Sequence, residues 1–353
     1  MSTDIAGKIE TRKERWVNFC QPDAKSGFMF IVNCKAALQT GTVHLWPNMK
    51  EQRIEHIWKA YVDRMEAAEW LDDDIVPFLN NITGTEIFAE AMGCEVERPE
   101  HNNPFALPRI FFPGEVAGIK VPELSNSSLA YLFDIADELY RRGGPGSVMK
   151  LVDIQSPMDI AALIWEKSSL LMAMFDAPEA VKELAAKCCE LLIAFMDEWF
   201  SRYGIDYVAH YPDYFMRGGI TLSEDEIGIV DEQMFQEFFR GELVQLSEHF
   251  GGIGIHCCAD SRHQWQNLKD IPGLRVINLC RPPTRTDTFV TDAYKFFADG
   301  PVQMHFGWEP DVKTEEMPSQ FPDGARVVFQ LNADTKDEAR KMCDTLNALR
   351  DNM

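Results

Sequence analysis

No stretch of this 353-residue chain approaches the ~18 uninterrupted apolar residues that a membrane span requires, which argues against a membrane-embedded protein. Residues 1–15 are polar and mixed in charge and lack the apolar core of a secretory leader, so the expected location is the cytoplasm. A disulfide framework is missing as well. The nine cysteines are scattered and odd in number, and they read as thiols, mostly small buried hydrophobes with a minority as ligands or nucleophiles. Basic residues are scarce, with 34 Lys and Arg against 56 Asp and Glu, for a net charge of −22. That balance argues against nucleic acid or an anionic membrane surface as partner, and against a substrate with many carboxylates. There is no internal repeat, low-complexity tract or linker, so one domain over residues 1–353 is expected, with the oligomeric state left open.

What is present is a regular alternation. Short apolar runs rich in β-branched residues occur at 28–33, 75–79, 148–154, 207–211, 253–257, 275–279, 302–306 and 326–331. Each is too short for a helix and nearly continuous in apolar residues, as strands covered on both faces should be. Helical patterns separate them. Ile54, Ile57, Trp58, Tyr61, Val62 and Met65 recur at three and four residues, and Leu184, Cys188, Leu191 and Phe195 follow an Asp176-Ala177-Pro178 start. Residues 234–250 form a further amphipathic stretch, ended by Gly251-Gly252. Eight strands alternating with helices predict an α/β fold, a single (β/α)8 TIM-type barrel. The Pro- and Asn-rich segment at about 101–122 is expected to be an inserted loop or hairpin near the barrel mouth. The acidic run 72–74 reads as a solvated turn, and Cys188-Cys189 as core.

In this fold the chemistry sits where the strands end at their C-terminal side. The run Gly254-Ile255-His256-Cys257-Cys258-Ala259-Asp260 is the sharpest feature there. Residues two apart on a strand face the same way, so His256 and Cys258 project together and Cys257 faces the helices. An imidazole and a thiolate form half of a tetrahedral zinc site, and a catalytic zinc needs a third protein ligand. Cys280, ending the next strand, is the nearest by topology, with Asp260, Glu309 and His305 as the other candidates. A rim histidine beside a buried thiol would give the same spacing without a metal. Asp153 ends its strand before Gln155-Ser156-Pro157, and one of Asp153 and Ser156 is expected to cap the following helix. Otherwise Asp153 orients a ligating histidine or acts as a base. His210 and His305 are the further acid–base candidates, and His210 with Asp213, flanking Tyr211-Pro212, either binds substrate or forms a supporting pair. Asn33, Asn80, Tyr211 and Trp308 are the expected substrate contacts, with Tyr214 and Phe306 adding aromatic surface.

Three stretches carry a family likeness: Asp153-Ile154-Gln155-Ser156-Pro157-Met158-Asp159-Ile160-Ala161, Phe175-Asp176-Ala177-Pro178-Glu179-Ala180-Val181, and Gly254-Ile255-His256-Cys257-Cys258-Ala259 with Leu274-Arg275-Val276-Ile277-Asn278-Leu279 behind it. From Val148 onward the chain resembles the uroporphyrinogen decarboxylase superfamily, and most closely its corrinoid-linked methyltransferases that use coenzyme M or folate. The resemblance implies a (β/α)8 barrel in which zinc, held by the His-x-Cys pair and a later cysteine, binds a thiol as thiolate. The methyl group would pass between a small substrate and a corrinoid carried by a partner protein. Two departures stand out. Where the later cysteine is expected the chain reads Gln330-Leu331-Asn332-Ala333, leaving Cys280 or an oxygen ligand to replace it. The N-terminal arginines that hold a porphyrinogen's carboxylates are also missing, with only Lys35 between residues 28 and 46. The main expectation is therefore a zinc-dependent methyltransferase. The alternatives are a metal-free decarboxylase or lyase of a small substrate using Asp153, His210 and His305, and a non-catalytic binding barrel.

Overall fold

The computed structural model describes residues 3–37, 41, 43–280, 288–305 and 314–351. Among these the strands are β1 (Gly27–Cys34), β2 (Phe78–Asn80), β3 (Val96–Glu97), β4 (Phe105–Ala106), β5 (Val148–Lys150), β6 (Asp206–Val208), β7 (Phe215–Arg217), β8 (Ile220–Ser223), β9 (Ile253–Cys257), β10 (Leu274–Leu279), β11 (Val302–Gln303) and β12 (Arg326–Ala333). β1 shows why these runs are strands. Its residues Phe28 to Val32 are all apolar and all buried, as a strand packed on both faces demands. Helices separate the wall strands and bury one stripe each: Ile54, Ile57 and Tyr61 on Lys50–Trp70, and Val181, Leu184, Cys188, Leu192 and Phe195 on Pro178–Tyr203. Pro178 is the first residue of the latter helix, while Asp176 belongs to the end of the preceding one and caps nothing. The expected stretch 234–250 is two helices, Glu232–Phe238 and Arg240–Phe250. The second stops at Gly251, whose φ of 76° is left-handed backbone that glycine adopts without strain.

Parallel pairing gives two ladders, β1-β12-β11-β10-β9-β8 and β2-β5-β6, with β7 antiparallel to β6. The longest register runs from Gly27 opposite Arg326 to Cys34 opposite Ala333, so strands from the two ends of the chain lie side by side. The ladders meet at two seams. At one, the extended backbone after β5 reaches β8: Ser223 N–H donates to Ile154 O at 2.8 Å, and Ser156 N–H donates to Ser223 O at 2.7 Å. At the other, β1 lies beside the segment leading into β2. Asp74 N–H donates to Phe30 O at 2.9 Å, and the remaining β1 donors there turn to side chains. Phe30 N–H donates to Asp74 Oδ2 and Val32 N–H to Asp73 Oδ2, each at 2.9 Å.

Asp73 and Asp74 are fully buried, which corrects the reading of 72–74 as a solvated turn. Buried carboxylates need partners, and both ends of the chain supply them. Helix Thr3–Phe19 brings Arg12 to 3.7 Å from Asp73 and pairs Arg15 with Asp74, and its Trp16 Nε1 donates to Asp74 O at 2.7 Å. Helix Lys336–Arg350 brings Arg350 to 2.8 Å from Asp74.

Two further differences from expectation have local causes. Run 207–211 contributes β6, but β6 belongs to a hairpin with β7, and the wall position beside β9 is filled by β8. β8 is only four residues long, set between Gly218-Gly219 and an acidic run, which hides it from pattern reading. The inserted hairpin is β3 with β4, upstream of much of 101–122. Beyond it the chain runs back along the outer helices, with Ile110 N–H donating to Ile164 O at 3.0 Å and Lys187 Nζ donating to Val116 O at 2.9 Å.

Replacing Asp74 by Ala leaves the Phe30 N–H and two guanidinium groups without their acceptor. The expected loss is on the order of 3 kcal/mol, read as a lower urea midpoint. Lys35→Ala, which breaks an exposed pair with Asp334, should leave that midpoint unchanged.

Candidate active site

The C-terminal ends of β2, β5, β8, β9 and β10 surround a cavity of about 490 Å3. Asn80, Asp153, His210, Tyr211, His256, Cys258 and Cys280, all singled out from the sequence, line it together. Lys150, Gln155, Ser223 and Asp225 add to its polar wall, with Asn81, Thr83 and Thr85 beside them. Asn33 is not among the lining residues. It sits half-buried near the end of β1, opposite Asn332 in register. Trp308, Phe306 and Glu309 lie outside the described residues.

One corner concentrates metal-ligating atoms. A carboxylate oxygen of Asp225, a ring nitrogen of His256 and the sulfur of Cys258 lie within 4.8 Å of one another. The strands dictate this. β8 and β9 run parallel with Ser223 opposite His256, so the residues just beyond this pair, Asp225 and Cys258, emerge at the same rim. Asp225 Oδ1 accepts the Cys258 N–H at 2.7 Å, and Oδ2 accepts from Cys258 Sγ at 2.9 Å. Sequence reasoning missed Asp225, because Glu224-Asp225-Glu226 looks like a solvated acidic run until Ile220–Ser223 is recognised as a strand ending at the rim. Cys280 follows β10 beside Cys258 and lines the same cavity, but it stands outside this three-atom group.

The protonation of His256 follows from its neighbour. Asn278 Nδ2 donates to Met304 O, so Asn278 Oδ1 faces the imidazole and can only accept. The 2.5 Å contact therefore places the ring proton on Nδ1. Burial lowers the pKa of His256, which favours the neutral ring with its lone pair on Nε2. The ring of Tyr211 meets the imidazole edge-on, with centroids 4.6 Å apart. Burial, then the hydrogen bond to Asp225, pushes the Cys258 thiol up to about 12, and burial does the same to Cys280. Neither thiol ionises at neutral pH without a cation beside it.

Across the cavity, Ser156 is the helix cap, accepting the Asp159 N–H, which leaves Asp153 for the pocket. Burial raises Asp153 to about 6, held down in part by Gln155, whose Nε2 donates to Asp153 Oδ1 at 2.5 Å. His210 pairs with Ser223, Nε2 to Oγ at 2.9 Å, and its buried Nδ1 has no partner among the described residues. Asp213 does not partner His210. It accepts from Lys150 Nζ at 2.5 Å and neutralises that cation of the cavity wall. His305 is part of the framework rather than the cavity. Leu279 N–H donates to its Nδ1 and its Nε2 meets Gln303 Oε1, both at 3.0 Å, and burial lowers its pKa to about 3. Cys257 is buried behind the strand, as the alternation requires.

The family model for uroporphyrinogen decarboxylase matches residues 81–290, more than half of the chain. Among solved structures, a methyltransferase from Methanosarcina mazei superposes with a TM-score of 0.66 over 97% of this chain and 98% of its own, at 12% identity. At that identity the likeness speaks for the fold alone. A second structure, SacUVDE, covers 92% of this chain and 99% of its own at 10% identity, with a TM-score of 0.36 that carries no argument. No curated protein matches the chain.

A carboxyl-selective NMR titration should give Asp153 a midpoint near 6, against ~3.9 for a solvated aspartate. Gln155→Ala removes a hydrogen bond that favours the charged form and should move the midpoint higher; a midpoint near 4 in both proteins would contradict the burial argument.

Proposed function

The chain belongs to the uroporphyrinogen decarboxylase family, and from that premise we propose that it is a zinc-dependent methyltransferase working with a corrinoid-carrying partner protein. The observation that carries this reading is the convergence of Asp225, His256 and Cys258 within 4.8 Å at the strand-end cavity. The donor set fits zinc: a carboxylate oxygen, a neutral imidazole fixed by Asn278, and a thiol. Asp225 is the third ligand in this proposal and takes the position for which Cys280 was the sequence candidate, while Cys280 remains part of the adjoining wall. Zinc held there supplies the positive charge that favours the anionic form of a bound thiol or polarises the heteroatom of a methyl donor.

The chain's own residues do the rest. Asn278 holds the His256 tautomer, and Asp225 accepts from both the backbone N–H and the thiol of Cys258, which keeps that sulfur at the carboxylate's side. Asp153, raised to about 6, accepts or returns a proton on the opposite wall. His210, fixed by Ser223 at one nitrogen, offers the other to substrate, with Asn80 and Tyr211 as further contacts. His305, with both nitrogens engaged, has a supporting place behind β10.

Cleavage of the family's polycarboxylate porphyrinogen does not suit this cavity. Among the described residues Lys150 is the one cation in its lining and is paired with Asp213, and Lys35 is exposed and paired with Asp334. A metal-free lyase acting on a small substrate is the second reading, favoured by the near-neutral Asp153 facing the same space as His210.

Protein purified without added metal should carry about one zinc per chain. His256→Ala and Cys258→Ser should lose it, and Asp225→Asn should bind it 10–100-fold more weakly. Retention by Asp225→Asn with loss in Cys280→Ser would make Cys280 the third ligand. A folded, zinc-free wild type that resists reconstitution, yet turns over a small carboxylic acid, would favour the lyase.

A further inference from the structure

Asp225 stands at a place where strand pairing can no longer hold it. The β8–β9 register ends with Ser223 opposite His256, and after it Glu224 N–H donates to His256 O at 2.8 Å. The next backbone donors, Asp225 N–H and Glu226 N–H, turn away from β9 and toward the neighbouring seam. There both meet one buried carboxylate, that of Asp159. Asp225 N–H lies 2.9 Å from Oδ2 and 3.1 Å from Oδ1, and Glu226 N–H lies 3.0 Å from Oδ1.

Asp159 is itself well anchored. It sits in the first turn of helix Pro157–Ile164, and its own N–H donates to Ser156 Oγ at 2.9 Å. Ser156 in turn donates its N–H to Ser223 O across the seam. The carboxylate is buried and is not among the residues lining the cavity, so it does not touch substrate. Its two oxygens between them accept both backbone N–H groups and so fix two consecutive residues.

We propose that Asp159 is the positioning residue of the metal centre: its carboxylate clamps the backbone of Asp225 and sets where that ligand's oxygens stand. The inference rests on the metal-centre reading above. The clamp crosses the seam between β5 and β8, so the helix after β5 and the ligand after β8 are held to one another independently of the ladder. Asp225 then passes the constraint on, since its two oxygens receive the N–H and the thiol of Cys258. Helix, carboxylate ligand and thiol ligand form one connected unit. An outer partner that orients a metal-binding carboxylate typically governs 10–100-fold in metal affinity.

The test uses the intact chain with zinc and cobalt(II) as probes. Zinc affinity is measured by chelator competition and the cobalt(II) absorption spectrum is recorded for wild type, Asp159→Ala, Asp159→Asn and Asp225→Ala. Asp159→Ala is expected to weaken zinc 10–100-fold, and its cobalt spectrum should move toward that of Asp225→Ala. Asp159→Asn keeps one acceptor oxygen but turns an NH2 toward a backbone N–H, so a smaller loss in the same direction is expected. A carboxylate that only caps the turn at Glu226–Ile229 would leave the cobalt spectrum unmoved. Wild-type affinity and an unchanged spectrum in folded Asp159→Ala overturn the proposal. If that variant does not fold, the same result in Asp159→Asn overturns it. A wild type that binds neither metal removes the centre and the clamp together, whereas a wild type that binds beside unchanged variants removes only the role of Asp159.

Discussion

Every peptide donor in a barrel wall needs an acceptor, and at the edge of β1 the acceptors are two aspartate side chains. The strand that should lie there is short: β2 begins only at Phe78, too late to pair with Phe30 and Val32. Asp73 and Asp74 close that gap with their carboxylates, and the burial this imposes then calls for arginines. Arg12 and Arg15 arrive on the first helix and Arg350 on the last, so one electrostatic requirement places both termini at the same seam. Since β1 pairs with β12 along its whole length, fixing β1 here also fixes β12, the next strand of the six-stranded ladder. An unpaired buried carboxylate would cost far more than a solvated one, so the three cations are as much part of the wall as the strands.

The second seam solves the same problem with backbone and makes room for chemistry. Ile154, Ser156 and Ser223 exchange hydrogen bonds just where the strands reach the rim, and a little further along on each side Asp159 and Asp225 continue the join with a carboxylate. A wall that switches from ladder to side-chain contacts frees polar groups to face inward. Asp153, His210, His256 and Cys258 thereby share one cavity, and the partial or full burial of each group shifts it toward its neutral form. A zinc ion bound there would meet a neutral imidazole at His256 and a Cys258 thiol that gives up its proton on binding.

Much of this was legible in the residues. Near-continuous apolar runs identified most wall strands, and the two-residue spacing of His256 and Cys258 put them on one face. What escaped has a common physical origin. Asp73, Asp74 and Asp225 all sit in short acidic runs, and local composition makes such runs look solvated. Their burial is decided by partners distant in sequence: Arg350 lies 276 residues from Asp74, and Cys258 lies 33 from Asp225. His305 failed in the opposite sense. Its place at a strand end promised chemistry, but the Leu279 amide and Gln303 occupy both its nitrogens, and no sequence pattern shows that. β8 was hidden because four residues between a glycine pair and three acids carry too little periodicity to count.

The hairpin of β6 and β7 has a consequence of its own. It interrupts the wall between its third and fourth strands, and the turn joining its two arms carries His210 and Tyr211 into the cavity. The groups assigned to the metal therefore ride on the wall, while two of those assigned to substrate ride on an excursion from it. Such a division lets the short loop change without moving the wall that carries Asp225, His256 and Cys258. The wall is the socket and the turn its replaceable key.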